Sequence, residues 1–436
     1  MSVRTASTAP FAGGGSLIKM RYGAEVNAVH EIRKTAVIGA GVMGAGIAAL
    51  FANAGLCVAL LDIDPALSAA AVSRQIKAGG FTDPAFADRI RTGSSITDLD
   101  MVADADWIVE AAAESLDTKH QIFTALNAVR KRGSIVSSNT STIRLSQLVG
   151  GMDPLDARDY LIAHFFNPPR TMKLLELVAG PQTRLEATAL VTAFSEESLG
   201  RCVVPCRDTP GFIANRIGNF WTAVALDAAI AQNLDVEEAD ALIGYAFGSA
   251  AGIFGLLDLV GIDLVPTASR SLRSALADDD PLQAYPAEPP LITAMIAEGR
   301  VGRKAGAGFF RKDHEGTLQV LDLRDRTYRA RRPASSPALA ATEGDLRLLM
   351  SHESAGGRFM SVVMSRTLAY AASLIPEIAD TPDHIDQAMR EGYGWQQGPF
   401  QLIERLGPGW LVTRLRAEHI PVPASLEDAG SGTSVT

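Results

Sequence analysis

Cysteine is scarce in this sequence. Only three cysteines, Cys57, Cys202 and Cys206, occur in 436 residues, and each lies in an apolar segment. Thiols without a paired framework in such a setting are typical of reduced core residues in a cytoplasmic protein. The three residues between Cys202 and Cys206 fit neither a CxxC redox motif nor half of a zinc site, so we predict no metal centre.

The sequence also lacks a basic face and a long apolar run, which argues against a nucleic-acid-binding protein and against a membrane-spanning one. The formal net charge is −9, whereas a protein that binds nucleic acid needs a concentrated positive surface. No apolar run reaches the roughly 20 residues that cross a bilayer, so we predict no membrane span. The first 24 residues lack acidic residues, but the Gly-Gly-Gly-Ser stretch at 13–16 favours a disordered tail over a transit peptide.

A glycine-rich turn between a predicted strand and a predicted helix indicates a dinucleotide site. The apolar segment 35–38 leads directly into Gly39-Ala-Gly41-Val42-Met43-Gly44, which a helical run follows. Gly39 permits the tight turn, Gly41 lets the backbone approach a pyrophosphate, and Gly44 lets helix and strand pack closely. The helix N-terminus then faces the anion.

The next predicted strand ends in the carboxylate that such a site needs. Segment 57–61 is apolar and is followed by Asp62, eighteen residues after Gly44. That spacing is close to the roughly 20 residues expected before the carboxylate that binds the adenosine ribose. Because this carboxylate repels a 2′-phosphate, we predict NAD rather than NADP as the cofactor. Asp64 is the alternative, but Asp62 lies nearer the strand end.

Further strands at 107–110 and 134–137 predict a doubly wound parallel sheet of the Rossmann type. Ligands bind at the carboxyl ends of the strands in such a sheet. The polar cluster 138–142 follows one of these strands and is expected to face the crevice. In the alternative interpretation, Ser141 or Thr142 caps the start of a helix, and both interpretations can hold at once.

An imidazole and a carboxylate flank a break between two predicted strands. His164 follows the apolar segment 161–163, two prolines interrupt the chain, and Glu176 lies in the returning strand 174–178. A neutral histidine takes up a proton near neutral pH, and a carboxylate orients its ring. The segment therefore predicts a general base with its partner, although a core histidine beside an unrelated glutamate also fits the segment alone.

An internal repeat occupies the second half of the chain, where the pattern becomes helical. Segment 240–261 matches 386–407 without gaps at an offset of 146, which also places Asn215 opposite Ser361. We therefore predict two all-α domains related by duplication. The predicted organisation is a tail at 1–32, a Rossmann-type NAD-binding domain at 33–207, a first helical copy at 208–312, a linker at 313–345, a second, mainly structural copy at 346–423, and a tail at 424–436.

Five motifs in order resemble the L-3-hydroxyacyl-CoA dehydrogenases of fatty-acid β-oxidation. They are Gly39-Ala-Gly-Val-Met-Gly-Ala-Gly-Ile47, Ser138-Asn-Thr-Ser-Thr142, His164-Phe-Phe-Asn-Pro168, Met172-Lys-Leu-Leu-Glu176 and Asp208-Thr-Pro-Gly-Phe-Ile-Ala-Asn-Arg216. The resemblance implies that His164 is the catalytic base and Glu176 its partner, with Ser141 and Asn215 beside the reacting oxygen. It also implies a set of NAD contacts: Gly39, Gly41, Val42, Met43, Gly44, Asp62, Glu114, Lys119, Ser141, Asn167 and Lys304. In the alternative, Glu114 and Lys119 form a solvated helix pair and Lys304 is a turn charge.

The duplicated form resembles the dehydrogenase half of bacterial multifunctional β-oxidation proteins, in which a hydratase module is fused to it. This sequence shows no such module, which leaves three alternatives: the chain works alone, it pairs with a separate enoyl-CoA hydratase or thiolase subunit, or the gene has been split. The expected reaction is NAD-dependent oxidation of an L-3-hydroxyacyl-CoA thioester to 3-oxoacyl-CoA. Two alternatives are a dehydrogenase of a 3-hydroxy acid without CoA and a non-catalytic NAD-binding subunit.

Overall fold

The computed structural model of the chain describes residues 31–430. Apart from Glu31 and Ile32, the predicted N-terminal tail lies outside the described residues, as do residues 431–436. Among the helices of the described part, none combines the length and the apolar character needed to cross a membrane.

The first half of the chain forms an eight-stranded sheet. Its strands are β1 (Lys34–Ile38), β2 (Cys57–Asp62), β3 (Ile90–Ser94), β4 (Trp107–Glu110), β5 (Ile135–Ser138), β6 (Tyr160–Phe165), β7 (Leu174–Val178) and β8 (Cys202–Cys206). They lie in the order β3-β2-β1-β4-β5-β6-β7-β8. Neighbouring strands are parallel except β6 and β7, which are antiparallel.

Helices cover both faces of this sheet, so the predicted doubly wound, Rossmann-type architecture is confirmed. They are α1 (Val42–Asn53), α2 (Pro65–Lys77), α3 (Leu116–Val129), α4 (Leu145–Leu148), α5 (Pro154–Ala157) and α6 (Leu185–Glu197). Adjacent residues of β1 belong to different cores: Val37 packs in the core that contains Phe51 of α1, and Ile38 in the core that contains Phe123 of α3. Burial on both faces explains why the strands are apolar throughout rather than alternating.

The second half of the chain is mainly helical. Its first group is α7 (Ala214–Ala231), α8 (Val236–Phe247), α9 (Phe254–Val260), α10 (Leu264–Ala275) and α11 (Pro290–Ala297), followed by the antiparallel strands β9 (Phe310–Lys312), β10 (Leu318–Leu321) and β11 (Tyr328–Ala330). Its second group is α12 (Pro337–Ala341), α13 (Leu346–Ser351), α14 (Ala355–Ser373), α15 (Pro382–Tyr393), α16 (Pro399–Leu406), α17 (Pro408–Ala417) and α18 (Ala424–Gly430).

Local geometry recurs at the offset of 146. Asp240 and Asp386 each accept hydrogen bonds from the backbone N–H groups 14 and 15 residues further along the chain. Burial raises the pKa of Asp240 to about 7 and that of Asp386 to about 6. Helices α8 and α15 both end at a left-handed glycine, Gly248 and Gly394. This correspondence supports the predicted repeat, whereas the domain boundaries stay a prediction.

Two segments predicted as linker and tail contain regular structure. The segment 313–345 includes β10, β11 and α12, and Val320 and Leu321 of β10 are fully buried. In the predicted C-terminal tail, residues 424–430 form α18, where Leu426 is buried. Short apolar stretches inside these polar segments are buried against the rest of the fold. The composition of the segments does not indicate this burial, because it depends on packing with other elements.

The prediction that all three cysteines are core residues is wrong for one of them. Cys206 is buried and Cys202 half-buried, but Cys57 is exposed. Cys57 is the first residue of β2, where the strand enters the sheet from the surface.

Candidate active site

The structure brings His164 and Glu176 together on β6 and β7, the sixth and seventh strands in the order of the sheet. They face each other directly across the antiparallel pair β6 and β7. The Nδ1 atom of His164 lies 2.7 Å from Oε2 of Glu176. The exposed fraction is 6% for His164 and 0% for Glu176. The alternative of an unrelated glutamate at the surface is therefore wrong, whereas the role of His164 as a base stays a prediction.

The second oxygen of Glu176 is bound by the start of the helical region. Its Oε1 atom accepts hydrogen bonds from the backbone N–H groups of Ile213 (3.0 Å) and Ala214 (2.8 Å), at the N-terminus of α7. These two donors hold the carboxylate in place against the N-terminus of α7. Since an ionised carboxylate only accepts, Nδ1 of His164 donates to it and Nε2 is left able to take up a proton.

Two aromatic rings flank the imidazole. The ring centroid of His164 lies 4.5 Å from that of Phe166 and 5.6 Å from that of Phe212. Phe212 has a φ of 47°, a left-handed conformation that is uncommon for a bulky residue, and it directly precedes the turn into α7. The strained turn sets an apolar ring against the imidazole, at a position where such strain commonly accompanies function.

Ser141 and Asn215 line one cavity, which has a volume of about 200 Å³. Asn215 lies in the first turn of α7, directly after Ala214, whose N–H binds Glu176. The cavity and the His164 pair are therefore joined by consecutive residues of one helix. The remaining lining residues are mostly apolar: Thr142, Gly211, Asn219, Thr222, Leu256, Leu257, Val260, Leu264, Val265, Ala268, Ser271, Leu272 and Tyr393.

Glu114 holds the loop that carries Ser141. Its Oε1 atom accepts hydrogen bonds from the Ser141 N–H (3.2 Å) and from the hydroxyl groups of Thr140 (2.5 Å) and Thr142 (3.0 Å). Burial alone would raise the pKa of Glu114, but the charge of Lys119 and these hydrogen bonds outweigh it and lower that pKa. An ionised Glu114 thus holds the loop 140–142, which carries Ser141, in a fixed position.

The expectation that Ser141 or Thr142 caps a helix is wrong. Helix α4 begins later, at Leu145, and its first N–H groups donate to the carboxylate of Asp208, at 2.6 Å from Leu145 and 2.9 Å from Ser146. The capping group therefore comes from a residue more than 60 positions away, at the entry to the helical region. Local spacing within 138–142 carries no signal for it.

Lys119 is buried and does not form the solvated pair that was the alternative interpretation. Its exposed fraction is 1%, and its ammonium group lies 2.8 and 2.9 Å from the two carboxylate oxygens of Glu110. The Ser138 hydroxyl also donates to Glu110, at 2.5 Å. Sequence reasoning missed Glu110, although an acidic residue at the end of an otherwise apolar strand was the available signal.

A groove of about 680 Å³ runs along the carboxyl ends of β1, β2 and β4. It is lined by Gly39, Gly41, Asp62, Ile63 and Ile96 among others. The Asp62 carboxylate accepts a hydrogen bond from the Ala40 N–H (2.6 Å). The rival Asp64 instead caps α2 by accepting from Ala66 N–H (2.8 Å), so its carboxylate is engaged there.

The three glycines of the turn fit a dinucleotide for different reasons. A Cβ atom on Gly39 would lie 2.6 Å from the Ala111 carbonyl oxygen, and one on Gly44 would lie 1.8 Å from the Gly39 carbonyl oxygen. These two glycines therefore allow close backbone packing. At Gly41, the first residue before α1, a Cβ would meet no atom within 4 Å and would project into open space at the helix N-terminus, where a pyrophosphate would bind.

The remaining predicted cofactor residues lie in varied settings. Val42 is 71% exposed beside the turn, Met43 is half-buried and Asn167 is exposed after β6. Lys304 pairs with Asp263 (2.6 Å) and is not among the residues that line the groove. Its assignment to the cofactor stays a prediction.

Arg74 is a further residue that sequence reasoning missed. It lies on α2, and its guanidinium donates to the Ala40 carbonyl (3.2 Å), inside the glycine turn. A positive charge close to the expected pyrophosphate position suits an anionic ligand. No local motif marks it, because the contact spans 34 residues.

Two family models match the chain. The NAD binding domain of 3-hydroxyacyl-CoA dehydrogenase matches residues 34–209, and the C-terminal domain of the same enzyme matches residues 211–312. A Bacillus subtilis protein described as a probable 3-hydroxyacyl-CoA dehydrogenase is 36% identical over 430 residues, covering 88% of this chain and 54% of its own length. A Deinococcus radiodurans protein with the same description is 37% identical, covering 65% of this chain and 83% of its own length. The chain thus spans about half the length of the Bacillus relative.

A solved structure extends the likeness to most of the fold. The crystal structure of 3-hydroxybutyryl-CoA dehydrogenase from Escherichia coli K12 superposes with a TM-score of 0.70 and covers 92% of this chain and 99% of its own. Its sequence identity is 22%, so this likeness concerns the fold alone. The family resemblance and the NAD cofactor expected from the sequence motifs are confirmed by the matched domains. The chain belongs to the 3-hydroxyacyl-CoA dehydrogenase family.

Proposed function

We propose that this chain catalyses the NAD-dependent oxidation of L-3-hydroxyacyl-CoA to 3-oxoacyl-CoA in fatty-acid β-oxidation. The observation that carries the proposal is the orientation of His164 by Glu176, which leaves Nε2 as the acceptor. Glu176 is bonded in turn to the first turn of α7, where Asn215 lines a cavity with Ser141. A dehydrogenase of this kind needs a base for the hydroxyl proton, a dinucleotide groove and donors for the reacting oxygen. All three lie at the carboxyl edge of the sheet or on the first turn of α7.

The residues divide the chemistry between them. Nε2 of His164 removes the proton of the 3-hydroxyl group, and Glu176 stabilises the imidazolium that forms. Bound NAD supplies the acceptor for the hydride that leaves C3. Ser141 and Asn215 donate hydrogen bonds to the substrate oxygen as its charge changes. One such donor lowers the activation free energy by about 3 kcal/mol in comparable sites. In the reverse direction, His164 returns the proton.

The cofactor would be held mainly by the glycine turn and Asp62. Gly41 would give the pyrophosphate access to the N-terminus of α1, and Asp62, which lines the groove, would accept hydrogen bonds from the ribose hydroxyls. Lys119 is buried under Glu110 and Glu114, so we assign it the role of positioning these carboxylates. Asn167 and Lys304 stay proposed contacts on the strength of the family resemblance.

The implied partners belong to the same proposal. A 3-hydroxyacyl thioester arises when an enoyl thioester is hydrated, and a 3-oxoacyl thioester is open to thiolytic cleavage. A separate enoyl-CoA hydratase or thiolase subunit would therefore supply the substrate or consume the product.

The wild-type protein tests the substrate class directly. We expect it to oxidise NADH with acetoacetyl-CoA, with a kcat/KM at least about 100-fold above that with free acetoacetate, because binding of the CoA portion contributes to the reaction at the distant carbonyl. Steady-state loss of NADH absorbance measures both. Equal values for the free acid would favour a dehydrogenase of non-CoA hydroxy acids. If NADH binds but no thioester turns over, the chain is a non-catalytic NAD-binding subunit.

The two helical copies are expected to differ in their importance for turnover. Asn215→Ala removes a proposed donor to the reacting oxygen and should lower kcat/KM by about 10²- to 10³-fold. Ser361, at the matching position of the second copy, is bonded instead to Arg414 (2.5 Å), so Ser361→Ala should change kcat/KM less than about 3-fold. Both variants are compared by steady-state kinetics at saturating NADH, with thermal unfolding as a check on folding. Equal losses in the two variants would contradict this asymmetry.

A further inference from the structure

The second helical copy reaches the sheet through one end of α15. A Cβ atom on Gly392 would lie 2.7 Å from Cδ2 of Leu174 in β7 and 3.3 Å from Cβ of Ala214 in α7. Earlier on the same helix, the Gln387 side chain lies 2.9 Å from the Cys202 sulfur in β8. The C-terminal end of α15 therefore packs against the strand that carries Glu176 and against the first turn of α7.

Tyr393 is the last residue of α15 and lies across α7. Its position requires a glycine there, because a Cβ atom on Gly218 would lie 1.9 Å from Cζ and 2.1 Å from the hydroxyl oxygen of Tyr393. Gly218 follows Asn215 by three residues and precedes Asn219 by one, so all three share one face of α7. The phenol thus covers the helix face that carries Asn215.

The same phenol lines the cavity that Ser141 and Asn215 share. Apart from Tyr393, the lining residues come from the Ser141 loop and the first helical copy, whose apolar members are Leu256, Leu257, Val260, Leu264, Val265 and Leu272. Burial raises the pKa of Tyr393, and the negative charge of Glu176 acts in the same direction. The ring is therefore neutral and forms a mixed wall, apolar along its face and polar at its tip.

We propose that Tyr393, contributed by the second helical copy, closes the acyl pocket and sets the length of acyl chain that the site accepts. The inference rests on the proposed function, because it assigns the cavity to the acyl portion of the same thioester. It also gives the second copy a role at the site, beyond the mainly structural one that the sequence predicts. The phenol is part of the wall of this cavity of about 200 Å³, so an acyl chain that fills the cavity contacts it.

The length dependence of kcat/KM tests this assignment. NADH oxidation is measured with 3-oxoacyl-CoA substrates of four, six, eight and ten carbons for wild type, Tyr393→Ala and Tyr393→Phe. For Tyr393→Ala, we expect the ratio of kcat/KM for ten carbons to that for four carbons to rise about 10-fold or more, mainly through KM. Tyr393→Phe keeps the ring and should keep the wild-type ratio.

Gln387→Ala provides the matched control. Gln387 belongs to the same helix and the same contact with the sheet but does not line the cavity. Its substitution is expected to lower the unfolding temperature without changing the length profile. Should Tyr393→Ala fail to fold, Tyr393→Leu can replace it, because leucine keeps an apolar side chain against α7. For this variant we expect the same ratio of kcat/KM to rise, but by less.

The possible outcomes separate the two proposals. An unchanged length profile, or an equal loss at every length, in a folded Tyr393 variant overturns the assignment while the proposed function stands. A wild-type protein without activity on any thioester overturns the proposed function instead. A shift in the Gln387→Ala profile equal to that of Tyr393→Ala would show a packing effect of α15, and would also overturn the specificity role.

Discussion

We expect His164→Gln to lower kcat/KM for acetoacetyl-CoA by about 10³-fold or more, the largest effect of any substitution considered. Glutamine keeps a polar group at the position but cannot deliver the proton to the 3-oxo oxygen when acetoacetyl-CoA is reduced, so the reaction loses its acid–base group. The side chain is of similar length, and the Oε1 contacts of Glu176 with α7 do not involve it. The loss should therefore appear mainly in kcat, with NADH affinity and unfolding temperature close to those of wild type.

His120→Gln is a suitable control for this substitution. His120 lies on α3 and contacts the Gln147 carbonyl oxygen (2.9 Å), away from the cavity. Its kcat/KM should stay within about 3-fold of wild type. Activity of His164→Gln at the level of this control would show that another group transfers the proton.

Glu176→Gln should lower kcat by about 10²- to 10⁴-fold because it changes which ring nitrogen of His164 carries the proton. The amide oxygen is needed by the N–H groups of Ile213 and Ala214, which leaves the NH₂ group facing Nδ1 of His164. Nδ1 must then accept, and the ring proton moves to Nε2. A protonated Nε2 cannot act as the base.

The double variant His164→Gln/Glu176→Gln distinguishes this account from a separate role for Glu176. If Glu176 acts only through His164, the double variant loses no more activity than His164→Gln alone, as expected for residues that act as a unit. Glu186→Gln, an exposed substitution in α6, serves as the control. Additive losses in the double variant, with unfolding temperatures unchanged, would contradict the pairing.

The parts of the fold that rest on short-range pattern are predictable from the sequence. The glycine turn, the strand ending in Asp62 and the antiparallel return from His164 to Glu176 all occur where the pattern places them. In each case the signal lies within about 25 consecutive residues, where strand period, turn residues and helix start constrain one another. The internal repeat is equally predictable, because the two segments align at an offset of 146 without a gap.

Contacts that depend on tertiary packing escaped prediction. Asp208 caps α4, Arg74 reaches the glycine turn, and Glu110 pairs with Lys119 below the surface. Each depends on where the fold places two segments, and neither segment alone specifies the contact. The insertion of Tyr393 into the cavity belongs to the same class, since only the packing of α15 on β7 and β8 reveals it.

The hydrogen bonds from Ile213 and Ala214 to Glu176 make the proposed base dependent on the neighbouring domain. The carboxylate that orients His164 belongs to the sheet, but the donors that fix its other oxygen belong to the first turn of α7. Rotation of the helical domain away from the sheet would remove both donors and loosen the histidine, even with the dinucleotide groove intact. The orientation of the proposed base therefore depends on the contact between the sheet and the first turn of α7, and not on the sheet alone.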